Sequence, residues 1–140
     1  MKKGLLALSL VAMLFTACKK DKNEEPANVT PTVANIAGTY KLNKITMMAS
    51  GSTEQDYTSS LNDCEKDDQW KLNSDMSFNY VDAGTQCSTN GDYTSDWALT
   101  STTTITIDGE VYTIRKFTGT NLEVTQDYMG ATFVTYFTKQ

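Results

Sequence analysis

The segment "TITIDGEVYTIRKF", Thr104 to Phe117, reads as two strands joined by a tight turn. Ile105 and Ile107 alternate with threonines up to Asp108-Gly109, and "EVYTIRKF" runs back from that pair. A two-residue hairpin turn of the primed type needs positive φ, which glycine and aspartate tolerate, so this is the strongest hairpin signal in the chain. Downstream, Gly119 interrupts the pattern. "LEVTQDY" then sets Leu122 and Val124 against Glu123 and Thr125, and Gly130 turns the chain into "ATFVTYFT". Upstream, "DYTSDWALT" carries Tyr93, Trp97 and Leu99 in one phase with Ser95. Period-two alternation of this kind marks strands with one buried face.

Farther upstream, "QWKLN" and "SFNYVD" place Trp70, Leu72, Phe78 and Tyr80 on alternating positions, with Asn73, Ser74 and Asp75 supplying the turn. "GTYKLNKITMM" starts with Tyr40 and Leu42 in phase and shifts to Ile45 and Met47, as a strand with a bulge or bend does. The polar run from Ala49 to Asp68 is too mixed for a strand, with room for a helical turn near Leu61. These segments amount to eight strands. Short connections make the later neighbours antiparallel. The expected class is all-β: an eight-stranded antiparallel up-and-down barrel, with a two-sheet β-sandwich as the alternative.

Composition agrees. The 140 residues suit a single domain, rich in threonine, tyrosine and phenylalanine and sparse in leucine after Met13. The formal charge is −5, and beyond Ile36 the basic residues are few and scattered, which argues against nucleic acid as a partner. Histidine is absent, so the usual proton shuttle and zinc ligand are missing. There is no G-x-S-x-G elbow and no carboxylate pair in an apolar surround, so no catalytic residues are assigned and the chain is read as a non-enzyme. Asp63, Glu65, Asp67 and Asp68 invite a calcium reading, yet they lack the glycine and terminal glutamate of an EF-hand loop. They are read as a solvated or capping loop. No metal and no cofactor is expected.

The N-terminus supplies an address. Lys2 and Lys3 precede "GLLALSLVAMLFTA", the length of a secretory apolar region and short of the roughly 20 residues that span a bilayer. It ends in Thr16 and Ala17, and Cys18 follows, a placement that resembles the lipobox of bacterial lipoproteins, with Phe15 where a small aliphatic is usual. That resemblance implies cleavage after residue 17 and acylation of Cys18, which would be the link to a membrane. Lys19 to Pro26 cannot bury apolar surface and read as part of a tether, residues 18–35. Their pattern resembles the charged segment of surface lipoproteins in Bacteroidetes-type bacteria. The expected location is the bacterial outer membrane, lipid-anchored, facing either the periplasm or the cell exterior.

With Cys18 lipidated, Cys64 and Cys87 remain as an even pair in an oxidising compartment, and a disulfide between them is expected. A two-thiol metal site and two inert buried thiols are the competing readings. Closing a loop of about two dozen residues contributes roughly 3 kcal/mol in the chain-entropy model.

From residue 36 to residue 140 the chain also resembles a family. Gly38-Thr39-Tyr40 looks like the glycine-x-aromatic start of lipocalins, with Tyr40 in place of the usual tryptophan. "CEKDDQWKLNSDMSFNY", then Cys87, then "DWAL" resembles the small lipocalin-like domains of Bacteroidetes lipoproteins, with Met76 where the turn often has glycine. The resemblance implies the barrel rather than the sandwich, and lipocalins of that shape commonly hold small apolar molecules. Tyr40, Trp70, Phe78, Tyr80, Trp97, Tyr112 and Phe133, together with Phe137, fall on the faces aimed inward. Eight strands leave an interior that is either filled by such side chains or able to hold one small ligand. A lumen that holds a ligand makes the protein a ligand-binding module. A filled one makes it a surface interaction or structural protein with a solid barrel, acting through the loops at Ala49–Asp63 and Ala83–Asp92.

Overall fold

The computed structural model describes residues 26–87 and 91–140. The leader, Cys18 and the charged tether up to residue 25 lie outside the described residues. A helical turn, α1 (Val33–Ile36), precedes strand β1 (Gly38–Ala49). A two-residue strand β2 (Gln55–Asp56) and two short 3-10 turns lead to β3 (Gln69–Leu72) and β4 (Ser77–Val81). The remaining strands are β5 (Tyr93–Ser101), β6 (Thr104–Ile107), β7 (Glu110–Phe117), β8 (Asn121–Tyr128) and β9 (Ala131–Lys139).

Every sequential pair from β3 to β9 is antiparallel, β1 pairs with β3, and β9 returns to pair with β1 from Tyr40↔Lys139 to Ala49↔Ala131. That last ladder closes the sheet into a barrel of eight strands and rules out the sandwich. β2 is an outrigger on the half of β1 that β3 leaves free, pairing Thr46↔Asp56 and Met47↔Gln55. The expected phase shift in β1 is present: the register with β9 slips between Leu42 and Lys44, so Tyr40 and Leu42 share the inner face with Ile45 despite the odd spacing. The polar segment ahead of β3 holds its 3-10 turns at Thr58–Ser60 and Asp63–Glu65, on either side of Leu61.

The two ends of the barrel differ. At the end marked by Gly38, Leu72 and Phe117, the helical turn sits across the opening with Ile36 fully buried. Thr32 caps it, and its last carbonyl accepts a 2.6 Å hydrogen bond from the hydroxyl of buried Tyr40. The tyrosine that replaces the usual tryptophan thus fastens the plug. Contact with the barrel begins ahead of the expected boundary at residue 36, because Val29 N–H donates to Phe117 C=O at 2.7 Å and Pro31 is buried. Met76 closes the β3–β4 turn at φ 68°, the left-handed conformation that explains why a glycine suits this position. The opposite end, ringed by the Asp108–Gly109 and Met129–Gly130 turns, carries no such plug among the described residues.

Candidate functional site

Alternation aims a large ring inward from most strands, and the rings meet in layers. Tyr40, Phe78 and Trp97 are each 1% exposed and fill the plugged half together with Phe117, Ile105 and Leu72. Trp97 satisfies its indole N–H on the Asn73 carbonyl at 2.8 Å, so its burial leaves no polar group stranded. Trp70 lies with its ring centroid 5.0 Å from that of Phe137 and 5.5 Å from that of Phe78. The space bounded by Tyr40, Trp70, Leu72, Ile107, Leu122 and Phe137 has no room for a water molecule. Trp70 and Phe137 therefore form a floor across the lumen.

Above that floor the barrel is hollow. A cavity of about 260 Å³ opens at the unplugged end, walled by Leu42, Ile45, Trp70, Phe133 and Phe137, with Tyr112, Gln126 and Thr135 as its polar side chains. Of the seven candidate rings, Trp70, Tyr112 and Phe133 line it. Tyr40, Phe78 and Trp97 do not: all three are sealed in the solid half, because their strands carry them below the floor. Tyr80 also falls outside the lining; its ring stacks on Tyr93 at 5.1 Å and its hydroxyl donates to Asp68. Phe137, noted beside the seven, completes the floor. Leu42, Ile45, Gln126 and Thr135 were not expected as lining residues. Leu42 and Ile45 were read only as part of the β1 alternation, and Gln126 is in phase with Leu122 and Val124, as Thr135 is with Phe133 and Phe137. A larger groove of about 430 Å³ runs between Met48–Gly51 and Asp127–Thr132. Apart from Met48 and Asp127 its described lining is small side chains and glycine, with no ring, and it lacks the enclosed apolar walls that hold a ligand.

The rim of the hollow end is held by covalent and polar means. Cys64 and Cys87 form a disulfide with their Cα atoms 5.3 Å apart, as expected. The nearby acids divide into two kinds. Asp63 pairs with Lys66 and Glu65 caps Asn62, a surface role in line with expectation. Asp67 and Asp68 depart from it: rather than being solvated, Asp68 is 2% exposed, accepting from Tyr80 and from Ala83 N–H at 3.2 Å. Asp67 accepts from Thr85 N–H at 2.9 Å, and Asp82 accepts from Cys87 N–H at 3.2 Å. The carboxylates thus fasten the 82–87 loop by its backbone. Gly84 permits it, at φ 64° and so close to Asp67 that a Cβ would collide with the carboxylate. Burial, opposed in part by the Tyr80 hydrogen bond, pushes the Asp68 pKa up, and burial followed by the Asp68 contact does the same to Tyr80. No group of acids, cysteines or histidines suited to a metal ion occurs among the described residues.

A closed eight-stranded barrel, plugged at one end and open at the other, is matched by a family model described as a lipocalin-like domain over residues 36–129. This chain belongs to the lipocalin-like domain family. The match ends before β9, the strand that closes this lipocalin-like barrel and brings Phe133, Thr135 and Phe137 to its cavity. No curated protein and no solved structure matches the chain. In this lipocalin-like domain the hollow half is therefore defined by geometry: an aromatic floor, aliphatic walls and three polar side chains at one open end.

Proposed function

We propose that this protein is a lipid-anchored binding module of the bacterial envelope, of the Bacteroidetes lipoprotein kind, that holds a small apolar or amphipathic molecule in the open half of its barrel. One observation carries the ligand: the cavity of about 260 Å³ whose walls are aromatic and aliphatic and whose polar side chains are few. Its described lining contains no carboxylate, which favours binding over acid–base catalysis. The anchor is supported by the cysteine that ends the apolar leader, at Cys18.

Titration with the uncharged dye N-phenyl-1-naphthylamine tests the cavity. Saturable enhancement of dye fluorescence is expected, and it should disappear in Thr135→Phe, which places a ring in the space without altering the floor. Absence of saturable binding to the unaltered protein refutes the ligand role. For the anchor, metabolic incorporation of an alkyne-bearing fatty acid is expected in the native protein and lost in Cys18→Ser.

A solid surface-interaction protein is the second reading. It is favoured by the apolar side chains at the β8–β9 turn, Tyr128 and Met129, which are 60% and 89% exposed. These lie outside the two loops first expected to carry such contacts, of which the described part contributes half-exposed Tyr57.

A further inference from the structure

We infer that the mouth cavity selects molecules whose polar end is uncharged or cationic and discriminates against carboxylates, fatty acids included. The inference rests on the binding role proposed above and specifies its ligand class. It starts from the charges around the opening. Among the described residues no lysine or arginine lines the cavity. Four of the seven described cations are engaged elsewhere. Arg115 pairs with Glu54 at 3.1 Å and Glu123 at 3.2 Å, away from the lining, and Lys44 lies over the Tyr136 ring. Lys139 donates to the Asn35 carbonyl at the plugged end, and Lys66 is paired with Asp63.

The charges that reach the opening are negative. Glu110 accepts a 2.8 Å hydrogen bond from the Gln126 side-chain amide, so a carboxylate stands directly behind one wall residue. Glu110 and Asp108 also act on Tyr112: burial first, then these two charges, raise its pKa and keep its hydroxyl a neutral donor. Asp108 accepts from Tyr93 at 3.2 Å, and burial with that acid pushes the Tyr93 pKa up to about 12. The bond to Glu110 fixes the Gln126 amide and uses one of its two N–H donors, and its carbonyl oxygen remains an acceptor suited to a hydroxyl or an ammonium. A carboxylate placed here would lose its hydration, gain no cation and face fixed acids, all of which disfavour the charged form. A hydroxyl or ammonium meets Tyr112, Thr135 and the Gln126 oxygen instead.

Size sets the probe. At roughly 30 Å³ for a water-sized group, the cavity takes on the order of nine such groups, the length of an eight-carbon chain with one polar head. The test is competition of octanol, octylammonium and octanoate against N-phenyl-1-naphthylamine on the full chain at neutral pH. Octanol and octylammonium are expected to displace the dye at least about tenfold more effectively than octanoate. In Glu110→Gln, which keeps a hydrogen-bonding group beside Gln126 and removes the charge, the octanoate-to-octanol ratio should rise severalfold. Equal or better displacement by octanoate overturns the selectivity and leaves the binding role intact. Failure of the dye itself to bind removes the binding role, and the selectivity with it.

Discussion

The plugged half and the hollow half of this barrel are made from the same strands with the same alternation, yet one is sealed around Trp97, Tyr40 and Phe78 and the other encloses about 260 Å³. They are also held differently. The plugged half is stabilised by apolar burial under α1, whereas the rim of the hollow half relies on a disulfide and on Asp67, Asp68 and Asp82 binding loop backbone. A hollow lumen forgoes the packing that would otherwise hold its rim, so cross-links and buried polar contacts take over that role. Apolar packing and cavity are thereby assigned to opposite ends of one cylinder.

The sharpest way to break this contrast is a pair of truncations. Trp97→Ala should cost about 3–5 kcal/mol in denaturant unfolding, because it empties a fully enclosed site and strands the Asn73 carbonyl. Phe133→Ala, at the cavity, should cost about 1–2 kcal/mol while weakening dye binding. Equal costs would mean that the two halves are packed alike. Next in size, reducing the Cys64–Cys87 bridge, which spans 23 residues, should lower stability by about 3 kcal/mol. Amide exchange should then rise first in residues 82–87 rather than around Tyr40. Uniform loosening would erase the division of labour.

Met76 sharpens the comparison from the other side. Its left-handed backbone is tolerated because the plugged end is well packed, and its side chain is 48% exposed. Met76→Gly should therefore raise stability by about 0.5 kcal/mol, the relief of positive φ less the chain entropy of glycine. The smallest effect belongs to Glu54, outside the cavity lining. Hydrogen bonds from Thr46 first and Tyr136 second, with Arg115 adding less, hold its pKa at about 2, against an ordinary value of 4.5. A folded-state pKa below the unfolded one stabilises the protein above about pH 4.5, and that contribution disappears as the pH falls toward 2. Glu54→Gln should flatten this acid limb of the unfolding midpoint and leave dye binding in place. Solvent access to the pair keeps the change modest, since the Glu54 side chain is 29% exposed.

Much of the architecture was legible from local signals. Asp108-Gly109 fixed a hairpin because its turn needs positive φ, and both residues adopt it. Tyr40, Leu42 and Ile45 gave away the β1 bulge through their broken phase. The cavity was harder to read. Trp70 and Phe133 line it and Phe78 and Trp97 do not, although all four carry the same inward signature. The burial of Asp68 was hidden for a similar reason, since its partners Tyr80 and Ala83 lie a strand away.

Local chemistry was enough to read alternating antiparallel strands, their turns and their inward faces, and parity pointed to Cys64 with Cys87 only on the expectation that Cys18 carries lipid. Only the tertiary structure decided that β9 would meet β1 and close the cylinder, that α1 would seal one end, and how far along the axis each ring would sit. Those outcomes depend on the stagger of strands distant in sequence, and stagger is what separates a ring in the core from a ring in the wall of a cavity.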